Sequence, residues 1–480
     1  MPIMKKRFSI IAAAMFALAA QQASAQQLQS AYFLDGYSYA HQLNPAHDMS
    51  HSSYFGFPFI TLGNLNVGVN GNVGVGDVLY SRNGKLVTYL HPSVGIDEAL
   101  GNFNDNNKFQ FNLFTSLISF GFHKWGGYNT FDLNLRSNFG FNAPYGLFEL
   151  TKNLQNKNYD ISKFGGYGQA YAEVAIGHSR EVYEGVRAGL RAKVLVGLAR
   201  VDAEFNKLSL DLQDESKWMV EADATINAHV KGLTWGAPKV EEYEDPAKGT
   251  YETIDFDNID FEGSKGVAGM GLAFDLGGEV DFGKLDLVEN LHAGLAVRDL
   301  GFLKWKEGIS AKNNGDPFEF DGFNNIMVDD EHGEDFDDMS DDLTDRLTDL
   351  YRLKDTGAAS GRTTGLGTTL TLSASYDLPY YDKLSFGFTY NQRIQKTYGW
   401  HEERIYATVK PTKWFEASVN GGVGTFGPMW GWVINFCPTG FNFFIGMDHV
   451  VGKMAKQGVP LNSNANFSLG IAFPLGKYVK

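Results

Sequence analysis

Strict alternation of apolar and polar residues limits this chain more than any other feature. Residues 64–76 place Leu65, Val67, Val69, Val73 and Val75 on one parity and Asn64, Asn66, Asn70 and Asn72 on the other. A period of two belongs to a strand with two unlike faces. The glycines at 68, 71, 74 and 76 miss the i, i+2, i+5 spacing of a dinucleotide loop. Ser, Pro and charge are absent, so a solvated linker fits poorly. One face suits lipid, and the other suits water or packed side chains.

The pattern recurs along the chain. Phe131, Leu133, Leu135, Phe139 and Phe141 alternate with Asp132, Asn134, Arg136, Asn138 and Asn142. Val186, Ala188, Leu190, Ala192 and Val194 alternate with Arg187, Gly189, Arg191 and Lys193, and Val220, Ala222 and Ala224 with Glu221 and Asp223. Sixteen such segments are expected as strands: 64–76, 108–122, 128–142, 168–178, 185–201, 205–213, 218–230, 266–276, 285–298, 365–377, 384–394, 401–410, 414–424, 430–436, 440–449 and 466–475. Several reach the length of a tilted membrane-spanning strand. In 109–122 the apolar phase switches after Leu113, which predicts a bulge or a misplaced strand boundary. Long connections (77–107, 143–167, 231–265, 299–364) follow odd-numbered segments and short ones follow even-numbered segments, as in a barrel with all its long loops on one side. A false or merged pair would give fourteen strands and keep that parity. The predicted fold is therefore all-β: an antiparallel transmembrane β-barrel of 14–16 strands over 64–480.

The N-terminus accounts for the compartment. Lys5, Lys6 and Arg7 precede an apolar run from Phe8 to Ala20, and Ala23-Ser24-Ala25 supplies small residues at −3 and −1. Residues 1–25 read as a secretory signal peptide, too short to span a bilayer. Gln26 follows where a lipoprotein would have Cys. No later stretch is long and apolar enough for a transmembrane helix. A mean hydropathy of −0.23 is compatible with a barrel, in which only alternate residues meet lipid. The lone Cys437 excludes an internal disulfide framework, and a net charge of −15 argues against nucleic-acid binding. Tyr380, Tyr381, Tyr398, Trp400, Trp414, Trp430 and Trp432 cluster at strand ends, where rings suit membrane interfaces.

Within the long loop 299–364, residues 329–349 hold eleven carboxylates and one arginine. Phe336, Met339, Leu343, Leu347 and Leu350 recur at three- and four-residue steps, so an amphipathic helix is expected over 335–354, on an external loop. No calcium-loop pattern is present. Residues 278–284 imitate a phosphate-binding loop, but Leu285 stands where Mg²⁺ coordination needs Ser or Thr. His178 beside Ser179, and His401 near Glu402 and Glu403, are read as ordinary polar side chains. No enzyme, catalytic residue, metal site or cofactor is expected.

The segment SAYFLDGYSYAHQLNPAHDMSHSSYFGFPFI and the following GNLNVGVNGNVG resemble an uncharacterised family of outer-membrane barrels that carries a domain-of-unknown-function label. Asn44-Pro45-Ala46 is similar to the NPA segment near the N-terminus of long-chain fatty acid channels and of a related secretion-system barrel subunit. The resemblance implies that residues 26–63 form a hatch at the periplasmic end. Asn-Pro also simply favours a turn. The sixteen-segment count and the KYVK ending depart from those fourteen-stranded families.

These features give two expectations of function. The first is a passive outer-membrane channel for small hydrophobic molecules, in contact with outer-membrane lipid and lined by Asp132, Asn134, Arg136, Arg187, Arg191, Lys193, Glu221 and Asp223. The second is a non-transporting scaffold that docks secretion or surface proteins. The mixed signs of the lining residues also suit a paired-charge network that fills the lumen.

Overall fold

The computed structural model describes residues 27–478 except 50, 58–62, 83–84, 154, 156, 163, 215–216, 243–246, 248, 256–257, 262–265, 314–317, 321–351 and 451–463. The expected signal peptide and the acidic segment 329–349 lie outside these residues. Lys354, expected to end the helix, instead opens a strand, Lys354–Ala359.

Fourteen antiparallel strands close into a ring. β1 is interrupted, His51–Gly56 followed by Asn64–Gly71. There follow β2 (Asn106–Lys124), β3 (Gly127–Pro144), β4 (Phe164–Tyr183), β5 (Val186–Asp214), β6 (Gly269–Asp281) and β7 (Leu291–Trp305). β8 is Arg362–Gly365 with Thr368–Asp377, and β9 is Leu384–Ile394. The ring is completed by β10 (Trp400–Thr412), β11 (Phe415–Gly424), β12 (Gly427–Phe436), β13 (Asn442–Met447) and β14 (Ala465–Tyr478). Both pieces of β1 pair with β2 on one side and β14 on the other, which closes the sheet. Closure gives the wall's backbone groups partners without water, the condition for strands in lipid. The expected bulge in β2 lies where the register slips between Ser116 and Ile118. The wall begins at His51, ahead of the Asn64 boundary expected for the barrel.

The turns segregate by length. β2 and β3 reverse through Trp125 and Gly126, both at positive φ (58° and 72°), the conformation of a two-residue type I′ hairpin. The β4–β5 and β10–β11 reversals lie at the same end, with the start of β1 and the finish of β14. The opposite end carries the connections 72–105, 145–163, 215–268, 306–361 and 448–464. Outside the wall, Met270, Leu272, Phe274 and Leu276 of β6 stand exposed while Ala273 and Asp275 between them are buried. On β5, Leu190, Val194 and Leu198 face out and Arg191, Lys193 and Leu195 face in. An apolar outer belt of this kind matches acyl chains, and water-soluble monomers rarely expose one.

Two of the sixteen expected segments do not make separate strands of the ring. β5 runs for 29 residues, about 95 Å at roughly 3.3 Å per residue, so 205–213 lies within its upper half. Segment 218–230 lies in Lys217–Val230, which pairs with β5 from Ala199 upward. β6 takes the lower half of β5, Val186 to Gly197. Lys217–Val230 and β6 therefore occupy different heights beside the same long strand. Gly308–Lys312, Phe318–Phe320 and Lys354–Ala359 widen this upper strip. Here the oily parity turns onto a core of its own: Phe205, Leu208, Leu210, Val220, Ala222 and Ala224 pack with Tyr159, Ile161, Ile254 and Leu353. Alternation persists, but the buried face is now the apolar one, as in a sheet that meets water on one side.

These two environments predict different responses to charge. Val194→Arg, mid-strand on the belt, is expected to lower stability by about 2–4 kcal/mol, measured as urea unfolding in lipid vesicles. Glu221→Ala removes a surface ion pair with Lys207 and is expected to cost at most about 1 kcal/mol. Equal effects would show that both positions meet the same solvent.

Candidate functional site

The start of the described chain occupies the lumen. Residues 27–49 include two short 3₁₀ turns, Gln29–Ala31 and Ala40–Gln42. Leu28, Ala31, Leu34, Tyr37, Tyr39 and Leu43 are buried against one another and against Val433 and Phe444 of the wall. Tyr37 meets Phe444, and Phe33 meets Tyr406, edge to face at 4.9 and 5.0 Å. The inner wall is otherwise largely polar, and hydrogen bonds add to this apolar contact. Asp448, just past β13, accepts the Gln29 and Ser30 backbone N–H groups at 2.9 and 2.6 Å and the Ser30 hydroxyl at 2.7 Å. Glu416 of β11 accepts the Gly36 N–H at 3.0 Å, and Lys410 of β10 pairs with Asp35 at 2.8 Å. The Tyr39 hydroxyl donates to the Ile471 carbonyl at 2.7 Å, and the Gln42 amide donates to Ser116 and Asp132 at 3.1 and 3.0 Å. Several of these bonds are charge-assisted, the stronger kind. Residues 27–49 thus form a plug tied to strands on opposite sides of the ring.

Asn44, Pro45 and Ala46 lie near the plug's end, by the lower parts of β5 and β6. Asn44 Oδ1 accepts the Ala46 N–H at 3.0 Å, an Asx turn. Its Nδ2 donates to Glu279 at 3.3 Å. Gly189 of β5 and Gly277 of β6 face each other in register. A Cβ on Gly189 would overlap Pro45, and one on Gly277 would overlap Asn44. The two glycines therefore make a recess in the wall that this segment fills. Arg187 Nε donates to the Ala46 carbonyl at 3.2 Å, and the same guanidinium pairs with Asp48 at 3.2 Å. His47 Nδ1 lies 2.9 Å from Glu279. Burial pulls its pKa down, but Glu279, with Asp35 and Asp48 nearby, raises it above the usual histidine value.

Beside the plug a ladder of ion pairs crosses β3 to β7. Arg191 bridges Asp132 and Asp275 at 2.6 and 2.8 Å. Lys193 bridges Asp275 and Asp299 at 2.7 and 2.6 Å. Arg136 bridges Asp299 and Glu173 at 2.9 and 3.1 Å, and Asn134 donates to Glu173 at 2.9 Å. His41 of the plug stands 3.1 Å from Asp132. The structure thus brings Asp132, Asn134, Arg136, Arg191 and Lys193 into one network, while Arg187 holds the plug's end. Glu221 and Asp223 do not line the lumen: their strand lies in the upper strip, where its inner face is apolar. Glu173 and Asp275 were missed, although each is the polar position of an otherwise oily strand. Arg298 and Asp299 were missed for a different reason. They are consecutive yet both buried, because two residues of β7 oppose Asp275 between the pairs Val297–Leu276 and Leu300–Phe274. Asp299 takes φ 58° there, and its N–H donates to Asp275 at 2.7 Å.

At the long-loop end the β9–β10 connection, 395–399, reaches across to β2, β3 and β4. Tyr398 and Trp400, expected at a membrane interface, are instead buried inside. Gln110 of β2 donates to the Tyr398 carbonyl at 2.8 Å, the Tyr398 hydroxyl donates to Asn142 of β3 at 3.2 Å, and its ring meets Tyr167 of β4 at 5.1 Å. Tyr380, Tyr381, Trp414 and Trp430 are exposed, as interface rings would be. A chamber of about 40 Å³ remains inside the barrel, lined by Gln27 and Gln42 of the plug and by Arg136, Tyr171, Arg298 and Arg393, among others. Asp132→Ala would leave Arg191 short of one buried partner. It is expected to cost about 3–5 kcal/mol, read as a lowered unfolding midpoint. A change below about 1 kcal/mol would show that Asp132 is not buried against Arg191 in the protein.

The barrel is similar to solved outer-membrane proteins at low identity. The toluene transporter TbuX of Ralstonia pickettii matches at 8% identity, over 91% of this chain and 93% of that one, with a TM-score of 0.41. The toluene transporter TodX of Pseudomonas putida matches at 7%, over 94% and 97%, with a TM-score of 0.40. A Pseudomonas aeruginosa FadL homologue matches at 9%, over 94% and 99%, with a TM-score of 0.38. At these values none bears on what this chain carries. Comparison with curated proteins gives no match. The model of the Family of unknown function (DUF5723) matches residues 45–448, most of the chain, and the chain belongs to that family.

Proposed function

We propose that the protein is a passive channel of the outer membrane for small molecules, closed in the state seen here and opened by displacement of its N-terminal plug. The carrying observation is the seating of residues 27–49 inside the ring. A scaffold needs only the outer surface of a barrel. Here the interior holds a separable segment, fixed to the wall by side-chain bonds and not by strand pairing, with a chamber against it. The solute class we propose remains small and largely hydrophobic. It rests on the resemblance of the Asn44-Pro45-Ala46 segment to that of the fatty acid channels and on Phe114, Tyr171 and Trp400, which give the chamber an apolar side. The chamber's roughly 40 Å³ is well below the ~150 Å³ that holds a benzene ring in a protein cavity. Passage of even a small aromatic molecule therefore requires the plug to move.

The lone cysteine offers a direct test. A Cβ at Gly36 would lie 2.5 Å from Cys437 Sγ and 3.2 Å from its Cβ, close to disulfide spacing after a shift of a few tenths of an ångström. Gly36→Cys is expected to form a bond that pins the plug. Uptake of toluene or benzoate into proteoliposomes should fall on oxidation and return on reduction, with wild-type protein indifferent to both. Equal uptake by the oxidised and reduced variant would contradict plug-gated passage. No flux in any form, with a surface protein copurifying, would favour the scaffold.

A further inference from the structure

Two of the arginines that line the chamber stand outside the ion-pair ladder. The ladder sets Arg136, Arg191 and Lys193 against Asp132, Glu173, Asp275 and Asp299, three cations to four carboxylates. Arg298 and Arg393 also line the chamber and make the count five to four. Neither forms an ion pair with a carboxylate among the described residues; the two Asp299 oxygens bond Arg136 and Lys193. Arg393 Nε donates to Gln395 at 3.0 Å. Arg298 is 8% exposed. Its Nη1 donates to the Gln27 side chain at 2.6 Å, its Nη2 lies 3.5 Å from the Thr371 hydroxyl, and its Nε has no hydrogen-bond partner. A guanidinium stays charged at ordinary pH, and burying one without an anion is unfavourable.

The backbone is also distorted at this point. Without the bulge at Arg298-Asp299, strict alternation would turn one of the two side chains out to lipid. The bulge turns both inward, at the expense of a left-handed aspartate. Local strain of this kind, held by surrounding structure, is a mark of functional sites.

We propose that Arg298 and Arg393 form a binding site for a small carboxylate inside the chamber. The planar fork of Arg298 matches the two oxygens of a carboxylate, and Arg393 adds a second positive charge. Phe114, Tyr171 and Trp400 receive an apolar substituent. The chamber as it stands suits an ion the size of acetate. A larger acid takes the Nη1 donor now held by Gln27, and in doing so releases the first described residue of the plug. The site so refines the solute of the proposed channel to an apolar body with an anionic head, and in that respect it rests on that reading.

The test is equilibrium binding of acetate and benzoate to the full-length protein in detergent, at constant ionic strength in chloride, with toluene as the uncharged counterpart of benzoate. Acetate and benzoate are expected to bind saturably and toluene much more weakly. Arg393→Gln, which touches only Gln395 among the hydrogen bonds described above, is expected to weaken both acids roughly ten- to a hundredfold with the unfolding midpoint unchanged. Arg298→Gln should weaken them as much, and Arg298→Lys should restore only part of the affinity. Absence of saturable acid binding, or binding unchanged in both glutamine variants, overturns the site. Single-channel conductance separates the two readings: acid binding without conductance keeps the site and removes the channel, and conductance without acid binding does the reverse.

Discussion

A closed wall in lipid must satisfy its inward-facing polar groups from within. Alternation commits half of each strand to the lumen, and on β3 to β7 that half includes Asp132, Arg136, Glu173, Arg191, Lys193, Asp275 and Asp299. Each would be costly if buried alone. Set against one another on neighbouring strands, each cation reaches at least two carboxylates, and the whole is nearly neutral. This mutual neutralisation lets a wide ring be filled with protein, and the remaining features follow from where it is incomplete.

The plug supplies what the wall lacks. His41 and Gln42 add donors to Asp132, the Gln29 and Ser30 N–H groups meet Asp448, and Gly36 meets Glu416. In return the wall satisfies a short segment that has almost no secondary structure of its own. A second polar knot works alike: Arg404 binds Glu402 and Asn420, and Asn420 in turn donates to Ser30. Interactions of this type are directional and can be exchanged for water or for a ligand's oxygens, which a continuous apolar core cannot do.

Most of the fold was legible because a period of two reports directly on a two-faced wall. The loop-length asymmetry was legible too, since it follows from topology. Alternation does not say which face is wet. Val220, Ala222 and Ala224 look like a lipid-facing run, yet they pack onto Leu208 and Leu210 in the strip beyond the ring, so Glu221 and Asp223 were assigned to a lumen that is not there. Tyr398 and Trp400 share that ambiguity, because an aromatic residue at a strand end can lie against headgroups or fold inward. Asn44-Pro45-Ala46 was visible as a motif, but nothing in the sequence marks its partners Gly189 and Gly277 out from the other glycines among 55. Arg298 and Asp299 were invisible for a stronger reason: a bulge breaks the very parity by which inward residues are recognised.

Residues 27–49 are seated in the lumen by bonds to the wall. Amide hydrogen exchange of the full-length protein in nanodiscs tests this seating most directly. The Gln29, Ser30 and Gly36 N–H groups, which donate to Asp448 and Glu416, should exchange slowly, approaching the protection of the strand amides, despite lying outside any long helix or sheet. Exchange at the rate of an unstructured tail would contradict the account.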